Sequence, residues 1–76
     1  MSSKRKPVHT VPYQGQWANR TEGAKRVFGV APTKADAEAR GRQTAQERRT
    51  EHISHRRDGT IGERRSYGRD PFPPRG

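Results

Sequence analysis

The chain contains no cysteine, which excludes disulfide staples and any thiolate metal site. A small extracellular domain ordinarily needs such staples, so the cytoplasm is the expected compartment. Apolar residues make up only 25% of the sequence, and no stretch approaches the roughly 18 apolar residues of a membrane-spanning helix. Lys4, Arg5 and Lys6 near the start are followed by no apolar run, so a secretory signal is not expected. Acidic groups are scarce as well: 8 Asp and Glu face 17 Lys and Arg. With 76 residues there is room for one domain with a small core.

The surplus of cations is the strongest signal. Net charge is +9 and thirteen of the 17 basic residues are Arg, whose forked guanidinium suits phosphate and stacks on bases. Self-repulsion among them weakens a compact fold, and a polyanion would relieve it. The plainer reading is a solvated surface. The mean hydropathy of −1.41 leans toward disorder, but the apolar residues are patterned between Val8 and Ile61. An ordered middle with polar ends is expected: a basic disordered arm at 1–7, one domain at 8–66, and a Pro-rich tail at 67–76.

Along the domain, Val8–Tyr13 and Gln16–Thr21 read as strands about Gln14-Gly15, where glycine supplies a positive φ. Pro12 gives no ladder hydrogen bond, which predicts an edge strand or a bulge. Glu22-Gly23-Ala24 is the next turn, and Lys25–Val30 reads as a third strand. Thr33 is a natural N-cap, with Asp36 completing a capping-box-like pattern, for a helix from Lys34 to about Arg49. Ala37, Gly41 and Ala45 share one small face that can lie close on a sheet, under Trp17 and Phe28. After it, His52–His55 and Thr60–Glu63 flank Arg57-Asp58-Gly59. A three-residue loop with Gly59 left-handed pairs His55 with Ile61 and puts both isoleucines on one side. The fold expected is α+β: a small antiparallel sheet in the order β-β-β-α-β-β with one helix packed on one face.

No constellation announces catalysis, and no enzyme activity or cofactor is expected. Glu47 and Glu51 lie one helical turn apart, but both sit in a polar, arginine-rich stretch where burial cannot tune them. His9, His52 and His55 can meet if the first strand adjoins the post-helix strand. His52 and His55 are odd-spaced on a strand, however, and point to opposite faces, which spoils a site shared by all three. Nucleic acid is the sharper hypothesis. Arg20, Lys25 and Arg26, with the doublets Arg48-Arg49, Arg56-Arg57 and Arg64-Arg65, offer phosphate contacts, and Tyr13 and Tyr67 are the better stacking aromatics. The doublets recur every eight residues without forming a structural repeat, and can concentrate charge along one edge. The expected partner is therefore DNA or RNA bound with little sequence preference. The alternative is an acidic protein partner for an interaction module. In the tail, Pro71-x-x-Pro74-Arg75 resembles a polyproline docking ligand, and the favoured role for Phe72 is to cover part of its own domain.

The run Val8-His9-x-Val11-Pro12, Gly15-x-Trp17-Ala18, Thr33-x-Ala35-x-Ala37 and Ile53-x-His55-x-x-Asp58-Gly59-x-Ile61, closing on Tyr67-Gly68-x-Asp70-Pro71-Phe72-Pro73-Pro74, resembles a family of short bacterial proteins known as domain of unknown function 2188. The resemblance covers nearly the whole chain after the basic arm and is most specific in the tail. This sequence departs from it in its arginine richness and its alanine-based helix face. The family has no established activity, so the resemblance implies no site residue. More loosely, three short strands, Gly15-x-Trp17 and the helix opening at Thr33 are similar to AP2-type and integrase arm-binding DNA domains, which lay a sheet into the major groove.

Overall fold

The computed structural model describes residues 6–67. The basic residues at 1–5 and the tail at 68–76, including Phe72, lie outside the described residues. The elements are β1 (Val8–Tyr13), β2 (Gln16–Thr21), β3 (Val27–Ala31), α1 (Lys34–Arg48), β4 (Glu51–His55) and β5 (Ile61–Ser66). Together they form a five-stranded sheet in the order β3-β2-β1-β4-β5 with α1 packed on one face, an α+β fold.

The sheet is mixed where an antiparallel one was expected, because β1 and β4 run parallel. The cause is the helix. It carries the chain back from the end of β3 to the starting end of the sheet, so β4 must run in the direction of β3 and β1. This also places β1 at the centre, against the expectation of an edge strand from Pro12. Pro12 is tolerated there for two reasons. Its pair with Trp17 alternates with the hydrogen-bonded pair Tyr13–Gln16, so its nitrogen faces away from β2. On the other side, the β4 ladder has already stopped at Thr10–Ser54.

Local chemistry fixes the turns. Gln14 and Gly15 adopt φ values of 47° and 79°, the primed two-residue turn that matches the twist of paired strands. β3 starts two residues later than expected, since Lys25 and Arg26 stay in the connection closed by Ala24 N–H donating to Thr21 O at 2.9 Å. At the second hairpin Gly59 has φ 93°, Arg56 N–H donates to Thr60 O at 2.7 Å, and His55 pairs with Ile61, as the three-residue loop requires. The Asp58 carboxylate is held below the ordinary range by the Thr60 backbone N–H and hydroxyl, at 3.0 and 2.7 Å.

Helix α1 begins where Thr33 Oγ1 accepts from Asp36 N–H at 3.3 Å. It ends on Arg49 in the left-handed conformation (φ 55°, ψ 54°). Arg49 N–H donates to Gln46 O and Thr50 N–H to Ala45 O, which together form a Schellman motif without its usual glycine. Ala37, Gly41, Thr44 and Ala45 are buried against the sheet. A Cβ on Gly41 would collide with Asn19 and lie 2.8 Å from His52 Nε2 and 2.9 Å from Thr10 Oγ1. The glycine therefore sets how closely the helix approaches.

What lies beneath the helix is polar. Thr10 and Asn19 are fully buried and His52 nearly so. Asn19 Nδ2–H donates to Ala37 O at 2.9 Å, so its Oδ1 is left to accept from the Thr10 hydroxyl at 2.6 Å. That hydroxyl has spent its one proton, so His52 Nε2, 2.7 Å away, must be the donor to it. Burial holds the His52 ring below the ordinary imidazole value, in keeping with a neutral tautomer. Beside it Ser54 Oγ–H donates to the Glu38 carboxylate. Among the described residues no buried side-chain polar atom lacks a partner. Trp17 completes this side, 6% exposed, with Lys34 Nζ 5.3 Å and the Arg57 guanidinium 5.9 Å from its ring.

Candidate nucleic-acid interface

The sequence-predicted cations divide into two groups by element, one around the β2–β3 turn and the end of α1, the other on the β4–β5 hairpin, from which Arg57 reaches back over Trp17 of β2. On the β2–β3 side, Lys25 and Arg26 occupy the turn between those strands, with Arg20 at the end of β2. The last turn of α1 joins them. Arg48 Nη1–H donates to Thr21 Oγ1 at 2.9 Å, and its guanidinium lies 5.9 Å from the Phe28 ring. Arg49 follows at the helix end. The other group frames the β4–β5 hairpin, with Arg56 and Arg57 at its turn and Arg64 and Arg65 on β5. Four strand spacings of about 4.8 Å separate β3 from β5, roughly 19 Å across the sheet. The three Arg doublets are therefore split, one to the first group and two to the second, and the nine cations do not share one continuous face.

The acids separate the groups chemically. Arg65 pairs with Glu63 at 2.9 Å and Arg64 with Glu51 at 4.0 Å, so two hairpin arginines are partly balanced. Glu22 is drawn to His9 and Glu38 to Ser54 and Lys34. Among the described residues no carboxylate pairs with Arg20, Lys25, Arg26, Arg48 or Arg49. Next to this group a groove of about 490 Å³ runs between β3 and α1, lined by Phe28, Arg40, Gln43, Thr44, Glu47 and Arg48. Sequence reasoning missed Arg40 and favoured a core role over base stacking for Phe28. Their meeting depends on the β3–α1 packing, which helix periodicity alone does not supply. Tyr13 and Tyr67 are half-buried and end β1 and follow β5, respectively. Tyr67 is tied to the residue that precedes β4 by its N–H donating to Thr50 O at 3.2 Å.

The face away from the helix carries a second feature. Strand alternation puts His9, Val11 and Tyr13 there with Arg20, Ile53, His55 and Arg64. Ile53 is buried, whereas Ile61, on the same side, is 49% exposed. As the odd spacing requires, His52 turns to the helix and His55 away from it. His55 meets His9, their ring centroids 5.0 Å apart.

The chain belongs to the family described as "Uncharacterized protein conserved in bacteria (DUF2188)", whose model matches residues 8–67. It is similar to the "Uncharacterized protein YdaT" of Bacillus subtilis (strain 168), 38% identical over 56 residues that make up 74% of this chain. The match spans about 37% of the length of that relative. No solved structure matches the chain. The proline-rich closing motif lies beyond the matched residues. No helix among the described residues is long and apolar enough to cross a membrane.

Proposed function

We propose that this protein binds DNA or RNA with little sequence preference, through the surface where the β2–β3 turn meets the end of α1. The supporting observation is the local charge balance. Lys25, Arg26, Arg48 and Arg49 lie around the β2–β3 turn and the helix end, while the neighbouring Glu22 is engaged by His9 and Glu47, lining the adjoining groove, offsets only part of their charge. Backbone conformation adds to it: Arg49 occupies a left-handed position where glycine would cost less, by about 1 kcal/mol. A long basic side chain at such a strained position is what motivates a binding role for it. The adjoining groove supplies the Phe28 ring and the Arg40 guanidinium for an unpaired base and its phosphate.

Binding of random-sequence single- and double-stranded oligonucleotides to the full chain at two salt concentrations tests this. Four phosphate contacts should cost about 100-fold in affinity between 50 and 200 mM salt. Replacing Lys25 and Arg26 with Gln should lower the salt slope by about two. Arg49→Gly should weaken binding while raising stability by about 1 kcal/mol. No binding at low salt, or an affinity indifferent to salt, defeats the proposal. A second reading, a docking module for an acidic protein, draws on one observation: Ile61 is left 49% exposed on the arginine-rich hairpin.

A further inference from the structure

His9 and His55 are each anchored through one ring nitrogen and aim the other at a common point. His9 Nε2 lies 3.0 Å from Glu22 Oε1, and His55 Nδ1 lies 2.9 Å from Gly59 O. The inner nitrogens, His9 Nδ1 and His55 Nε2, are 2.8 Å apart. Carboxylate and carbonyl oxygens only accept, so the two outer nitrogens are the donors. A neutral imidazole has a single N–H, so both inner nitrogens then present lone pairs to each other. Only a cation between them closes the line. Imidazole rings whose far N–H is fixed by a carboxylate or a backbone carbonyl, with near lone pairs converging, are oriented as metal ligands usually are.

We propose that His9 Nδ1 and His55 Nε2 bind one imidazole-preferring transition ion, with Zn²⁺ as the reference, in place of a proton shared between the rings. The exchange balances simply: two N–metal bonds form and the shared proton leaves to solvent, with no change of oxidation state. The 2.8 Å separation and the 5.0 Å between ring centroids set the two nitrogens nearly head-on, so tetrahedral Zn²⁺, with bonds of about 2.0–2.1 Å and the nitrogens about 3.3 Å apart, requires the rings to part by roughly 0.5 Å and each to tilt by roughly 35°. The anchors can follow, because Glu22 sits in an exposed turn and Gly59 in the β4–β5 loop. Among the described residues no group of three His, Cys, Asp or Glu side chains converges on a point, so water fills the remaining positions. His52 faces the helix and cannot contribute. Arg20, paired with His9 across β1 and β2, and Arg64, beside Ile53, oppose the ion, while Glu22 and Glu51 favour it. The site is therefore weak compared with one built from three or four protein ligands.

Titration calorimetry of the full chain with ZnCl₂, in two buffers of different ionisation enthalpy, is the test. We expect one site that saturates below roughly 1 mM and releases about one proton per ion. His9→Gln and His55→Gln should each weaken it by about 10-fold or more, and Glu22→Gln by about the same factor or less. Imidazole ¹⁵N spectra of the unsubstituted protein should show Zn²⁺ shifting His9 Nδ1 and His55 Nε2 while leaving His52 in place. No saturable binding, unchanged binding in either histidine variant, or perturbation centred on His52 would overturn the proposal. Because the NMR measurement needs no substitution, it discriminates even if a variant fails to fold.

Discussion

The two sides of the sheet hold histidines in opposite circumstances. Under α1, His52 closes a run through Thr10 and Asn19 to the helix carbonyl of Ala37, with every polar atom matched and water shut out. On the other side His9 and His55 form a line that ends on a turn glutamate and a loop carbonyl, both at the surface. The first arrangement leaves nothing to bind. The second holds two nitrogens face to face, the pair proposed to open around a cation. A saturated buried network specifies structure, because removing any member strands the rest in low dielectric. A surface line costs little to open, which is what a binding site needs.

Three measurements probe this contrast. Gly41→Ala puts a methyl group into Asn19, His52 and Thr10, and should destabilise by about 2 kcal/mol despite alanine's better helix propensity, as read from urea unfolding. A gain in stability would mean that the helix is not pinned to the polar network. Next comes pH. His52 has its folded-state value depressed by burial, so below the ordinary imidazole value of about 6.5 the unfolded chain binds the proton more readily. The His52 contribution is present above that value and is lost as pH falls toward the depressed one, at up to about 1.4 kcal/mol per pH unit. His52→Gln should remove that slope, and an unchanged profile would refute the assignment. The smallest effect belongs to the other side: His9→Gln should alter stability by no more than about 0.5 kcal/mol. A loss several times larger would make the open line a structural network too.

Much of the fold was legible because short-range chemistry spells it out. Gln14-Gly15 demands a primed turn, Thr33 caps a helix, and the need to keep Ile53 and Ile61 on one side selected the three-residue loop at Gly59. What could not be read depends on long-range pairing. Pro12 pointed to an edge, yet β1 is central, because the short β4 ladder ends before Pro12 needs a partner. Nothing in the sequence marks Thr10, Asn19 and His52 as one buried network, since periodicity counts side-chain type and cannot see that three such groups will satisfy one another. For the candidate interface, arginine content was visible in the sequence. Its division between the β2–β3 turn with the helix end and the β4–β5 hairpin was set by the strand order.

The parallel pairing of β1 with β4 also governs how the chain reaches this state. The partner of Val8, His52, is made far later in the sequence, after both of the first turns and the entire helix. β1 through β3 can assemble through local hairpins alone. Pairing β1 with β4 closes the longest loop in the sheet, with α1 inside it, and the entropy of joining such distant segments weighs on the folding rate.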